Sequence, residues 1–222
     1  MARRNRRAIF ACPSGPERAD RFNVSHIGTG ASATRAKLVF MTYYGGRELA
    51  ASFKTVRNNT LKIAEEIPED KYSFRPAEGT RSVGELLTHI AFGSKFNEEV
   101  TLQGRKDLVG FDFMQFMGRQ MAEQSKPRTK AQIVALLTEQ RDDFAGKLES
   151  LREDFLQEVV TMPPGGTPPS RTRFDMLLGV KEHEMHHRGQ LMLVQRMLGL
   201  KPHLTRDREA QMAAMQAQSA TK

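Results

Sequence analysis

The stretch that decides the fold is TRFDMLLGVKEHEMHHRGQLMLVQRMLG, residues 172–199. It opens on Thr172 with Asp175 three places on, a pairing that caps a helix start, and closes on Gly199 shortly before Pro202, which marks a stop. On an ideal helix with His183 at zero, Met176, Val180, Leu191, Val194 and Leu198 all fall between about 20° and 80°. One apolar stripe of this kind belongs to a helix buried on one face. His183 and His187 stand about 40° apart and one turn along, so both imidazoles face the core and can reach one point. His186 falls about 60° to the other side, at the edge of the stripe, where it is a candidate to support the ligand pair, while Gln190 lies on the His face and is a candidate to orient a bound group. Glu184 and Arg188 point about 100° and 140° round, so Glu184 reads as a structural or salt-bridging residue and Arg188 as a packing one.

Working outward, three further stripes match this helix. Leu49, Phe53, Val56, Thr60, Ile63 and Ile67 recur at steps of four and three and must end before Pro68, which gives helix one. Ser82 and Glu85 form a capping box from which helix two is predicted to run to about residue 103. Thr129 with Gln132 forms another, and Ile133, Leu136, Leu137, Gln140, Phe144, Leu148 and Leu151 continue it as helix three. The apolar cluster Phe111, Phe113, Met114, Phe116, Met117 and Met121 reads as a short helix closing one end, and the Pro/Gly-rich residues 161–171 read as a loop. Four amphipathic helices and no convincing strand predict an all-α chain, an up-and-down antiparallel four-helix bundle over residues 41–200.

The bundle is flanked by tails that carry the charge. The chain has 222 residues and a net charge of +8, but residues 1–40 hold eight Lys/Arg against two acids, and residues 201–222 hold four against two. That leaves 22 basic and 22 acidic residues between them, a neutral body where a nucleic-acid-binding domain would show its basic footprint. Residues 1–40 read as a basic disordered leader, or as sequence ahead of a true start at Met41; residues 201–222 read as a disordered polar tail. No apolar run is long enough to span a membrane or act as an export signal, so the expectation is a cytoplasmic protein with no membrane partner.

His89 completes the pattern, since it lies among Val83, Leu86, Ile90, Gly93 and Phe96 on the apolar face of helix two. Three inward histidines are costly to bury unless their nitrogens are satisfied. One shared divalent ion, zinc, nickel, iron or manganese, does this, and three neutral ligands leave its charge intact with open positions, as in catalytic sites. The lone cysteine, Cys12, allows no internal disulfide and no Cys-based zinc site.

The segments IPEDKYSFRP at 67–76, RSVGELLTH at 81–89 and HEMHHRGQL at 183–191 resemble the DinB/YfiT-like superfamily over roughly residues 44–200. The resemblance implies a four-helix bundle, often a homodimer, with a divalent metal on one His of helix two and an H-x-x-x-H pair of the last helix, here His89, His183 and His187. It further implies small-molecule chemistry, with thiol S-transferases using bacillithiol, mycothiol or glutathione as cosubstrate among the characterised relatives. Its rival is H-E-x-x-H, the zinc-protease motif in which Glu184 would be the general base. The extended form of that motif fails, with Gln190 at its glycine place and Leu193 at its third His. The alternatives to a transferase are a metal-dependent hydrolase and a metal- or ligand-binding stress protein without turnover.

Overall fold

Helix α1, Gly46–Glu66, forms where the first stripe predicts, and it buries Leu49, Phe53, Val56, Thr60 and Ile63 along one side. It stops at Ile67, which takes an extended conformation ahead of Pro68. In this computed structural model, which describes residues 44–220, seven further helices and one short hairpin follow. The basic leader predicted for residues 1–40 lies outside the described residues.

Helix α2, Val83–Ala91, opens on the predicted capping box: the Glu85 amide donates to the Ser82 hydroxyl, and the Ser82 amide donates to the Glu85 carboxylate at 2.8 Å. It does not reach residue 103. The chain turns at residues 92–94 and restarts as α3, Lys95–Glu99. Gly93 is a poor helix former, and it sits so close to the last long helix that a Cβ there would lie 3.1 Å from Nδ1 of His183. Beyond α3 the buried Thr101 carbonyl accepts from the Arg173 guanidinium at 2.8 Å as well as from the Gly104 amide in a closing turn.

Helix α4, Phe113–Gln124, forms from the expected apolar cluster, but Phe116 alone is buried and Met114 and Met121 are exposed. Helix α5, Lys130–Glu149, carries the second predicted capping box, and the Lys130 ammonium donates to the Glu65 and Ile67 carbonyls at the end of α1. The short α6, Glu153–Gln157, leads into one two-stranded hairpin, a local addition to the all-α fold that the stripes predict. Strands β1, Val159–Thr161, and β2, Ser170–Thr172, pair antiparallel with Val160 opposite Arg171. The prolines occupy the turn while β1 is made wholly of the β-branched Val159, Val160 and Thr161, and Val160 is buried.

Helix α7, Arg173–Met197, starts with the Asp175 amide donating to the Thr172 hydroxyl, and Gly199 beyond its end has φ +76°, the left-handed turn that glycine permits. The predicted disordered tail is instead helix α8, His203–Ala220. Its first turn docks on α1: His203 is buried with its ring at 3.2 Å from the Asn59 side chain, and Arg206 pairs with Glu66. From Arg208 onward α8 is exposed.

Helices α1, α2, α5 and α7 form the four-helix bundle. Both α1 and α2 pack against α5 and against α7, so the two helices that come first in the chain face each other across the bundle. Of three apolar clusters in the core, the two larger lie around Phe53, Phe144 and Val180 and around Ile90, Leu137 and Leu191. Between them lies a charged layer. The fully buried Arg57 of α1 donates from Nε to both carboxylate oxygens of Glu184 on α7, at 2.8 and 3.0 Å. Its terminal nitrogens donate to the Leu137 carbonyl of α5 and the Ile90 carbonyl of α2, each at 3.1 Å.

One guanidinium thus joins all four helices, and removing it strands a buried carboxylate. Arg57→Met is expected to cost about 3–5 kcal/mol of stability in urea unfolding. The double variant Arg57→Met/Glu184→Leu, which buries no charge, should be more stable than either single variant.

Candidate metal centre

The charged layer is also where the predicted ligands meet. His89 is the residue before Ile90 on α2, and His183 is the residue before Glu184 on α7, so both are anchored by their neighbours' bonds to Arg57. His187 lies one turn further along α7. The structure brings all three together: Nε2 of His183 is 3.1 Å from Nε2 of His89 and 3.1 Å from Nε2 of His187, and the three donor atoms lie within 4.8 Å of one another. Nitrogens bound tetrahedrally to one zinc at roughly 2.0–2.1 Å would be roughly 3.4 Å apart, so the spacing fits a shared ion.

Hydrogen bonds on the far side of the rings fix which nitrogens point inward. The Gln124 side-chain oxygen accepts from Nδ1 of His89 at 3.1 Å, and the Gln190 oxygen accepts from Nδ1 of His187 at 2.8 Å. With hydrogen on each Nδ1, Nε2 of both rings carries a lone pair. Nε2 of His183 faces both and has at most one hydrogen to offer. At least one inward lone pair is therefore without a donor from the protein, which is the condition a cation relieves.

Electrostatics keep the rings neutral. Burial, followed by the charges of His187, His89, His186 and Arg81, pushes His183 down to about 4. Burial is also the largest influence lowering His89 and His187, each opposed in part by its glutamine and reinforced by Arg81. Neutral imidazole is the form that binds metal.

The other predicted site residues take different places. Glu184 turns into the core as the partner of Arg57 and is 1% exposed, so it cannot serve as the base of an H-E-x-x-H protease. His186 is exposed, with its ring against that of His187 and Nε2 at 3.2 Å from the Gln190 amide. Gln190 thereby links the two rings. Arg188 is half-buried and lines neither the centre nor the cavity beside it. That cavity, of about 620 Å³, carries His187 and Gln190 on its wall together with Arg75 and Arg81. A smaller hollow of about 240 Å³ is lined by His183 and Gly93.

Three residues of this region escape a reading of the sequence. Gln124 sits in α4, whose stripe says nothing of a polar contact to α2. Arg57 stands inside an apolar stripe, and its charge suggests solvent. Arg81 belongs to the loop before α2 and carries no periodic signal.

A family model for the DinB superfamily matches residues 52–191, a span that contains all three histidines. An uncharacterised protein of Bacillus subtilis, YjoA, is 26% identical over 152 residues, covering 68% of this chain and 90% of its own. The crystal structure of that DinB-like protein superposes with a TM-score of 0.52 and covers 92% of its chain. YfiT of Bacillus subtilis, described as a probable metal-dependent hydrolase with an unusual four-helix bundle topology, superposes with a TM-score of 0.54. At 14% identity, over 70% of this chain and 89% of its own, YfiT is similar in fold alone. With the matched span covering most of the bundle and all three histidines of its centre, the chain belongs to the DinB superfamily.

Proposed function

We propose that His89, His183 and His187 hold one divalent metal ion and that the protein is a cytoplasmic enzyme acting on a small molecule, most specifically a thiol-dependent S-transferase. The observation that carries this reading is the convergence of three neutral imidazole nitrogens on one point, two of them aimed by glutamines. A divalent ion bound there supplies Lewis acidity, which lets a coordinated thiol or water ionise near neutral pH.

The residues around the centre favour the thiol. Attack by water is commonly assisted by a general base, yet Glu184 is turned away and committed to Arg57, and Glu85 on the cavity wall is paired with Arg75. A thiol, with an ordinary pKa of about 8.5, needs far less help to ionise than water does. The chain's own part is to hold the three rings neutral and oriented, to present open space beside them, and to leave the nucleophile to a cosubstrate. Hydrolysis, the activity ascribed to YfiT, is the second reading.

Metal analysis of the full chain should find near one equivalent, with little retained by His89→Ala or by His183→Ala/His187→Ala. Consumption of an electrophile that needs both metal and a thiol such as glutathione supports transfer. Consumption by water with metal alone assigns hydrolysis, and metal uptake with neither leaves a binding protein.

The centre also predicts a pH dependence. The folded pKa of His183, about 4, lies below its ordinary 6.5, so the unfolded chain takes up a proton that the folded metal-free protein refuses. The stability contributed by the neutral ring is present above pH 6.5 and is lost as pH falls toward 4. Urea unfolding of the metal-free protein across that range should show this slope, and His183→Gln should flatten it.

A further inference from the structure

The cavity beside the histidines has a one-sided charge. Its single acidic lining residue, Glu85, is bound by the guanidinium of Arg75 and also accepts from the Ser82 amide, while Arg75 donates in addition to the Thr80 carbonyl. These two charges cancel. Arg81, on the same wall, has neither an ion pair nor a hydrogen bond among the described residues, and its charge acts on all three imidazoles. The rest of the lining is largely apolar, with Leu86, Leu191 and Val194 among it. A cavity of about 620 Å³ with an apolar lining and one uncompensated cation is shaped for a small amphiphilic anion.

We propose that this cavity binds a small organic anion, with Arg81 as counter-ion to its carboxylate or phosphate group and its apolar body against Leu86, Leu191 and Val194. The anion enters alongside His187, so Arg81 selects the substrate and holds it against the histidine centre without taking part in proton transfer. The proposal uses the same site as the enzymatic reading above, but anion binding through Arg81 does not require the metal.

The test is calorimetric titration of the full chain, chelator-stripped and zinc-loaded, with hexanoate, hexyl phosphate and the uncharged hexanamide. Wild type should bind an anion in both states and hexanamide at least tenfold more weakly. Arg81→Gln should lose about tenfold to hundredfold in anion affinity while keeping its zinc content and melting temperature, and Arg81→Lys should recover part of the loss. The carboxylate and phosphate arms show which head group is preferred. Anion binding that Arg81→Gln leaves unchanged, equal binding of hexanamide, or no anion binding by wild type would overturn the proposal. If binding appears only with zinc and ignores Arg81, the metal reading stands and this one fails. If anions bind through Arg81 but zinc is never taken up, the reverse holds.

Discussion

A buried guanidinium has five N–H donors and tolerates few arrangements of its surroundings, and in this protein Arg57 meets that demand by drawing on every helix of the bundle. Glu184 supplies the countercharge, and Leu137 and Ile90 supply carbonyls. The bond to Ile90 leaves the final turn of α2 adjacent to α7, and the pair with Glu184 fixes the rotation of α7 about its axis. Turning α7 by one residue would aim about 100° away from Arg57 and break the pair. Because His89 and His183 are the immediate chain neighbours of Ile90 and Glu184, the rotation that satisfies Arg57 also brings their imidazoles together.

The centre is thus a consequence of how the core is held. Two apolar clusters supply the bulk of the burial, and the charged layer between them selects the register in which they pack. On that frame the remaining adjustments are local. Gly93 lets α2 end close against His183, and α4 delivers Gln124 to the outer nitrogen of His89. Gln190 serves His187 and His186 from the same helix. Burial keeps the rings neutral, so they present lone pairs and repel protons, and that combination suits a cation.

Much of this was legible in the residues because it is local. The capping residues at Ser82, Thr129 and Thr172 begin helices where they stand, since each closes its bonds within four residues. The spacing of His183 and His187 needs only the helical period to place both rings on one face. What the residues did not disclose depends on partners distant in the chain. Arg57 interrupts an apolar stripe with a charge, and only the folded bundle shows Glu184 waiting 127 positions away. The end of α2 at Ala91 goes with the close approach of Gly93 to His183 on α7, and the hairpin depends on Val160 finding a buried place. The order of helices around the bundle leaves no trace in any single stripe. The C-terminal residues scatter their apolar side chains, mostly Ala and Met, around the helix, which gives no amphipathic signal, yet docking of His203 and Arg206 on α1 anchors them as a helix.

The central claim is that three imidazoles from α2 and α7 share one metal ion. X-ray absorption at the zinc edge of the loaded full chain tests it most directly. The expected spectrum shows three imidazole nitrogens at about 2.0–2.1 Å with the remaining position filled by a non-protein ligand, and loss of one imidazole in His89→Ala. A first shell of oxygens with one imidazole or none, or a shell unchanged by His89→Ala, would contradict it.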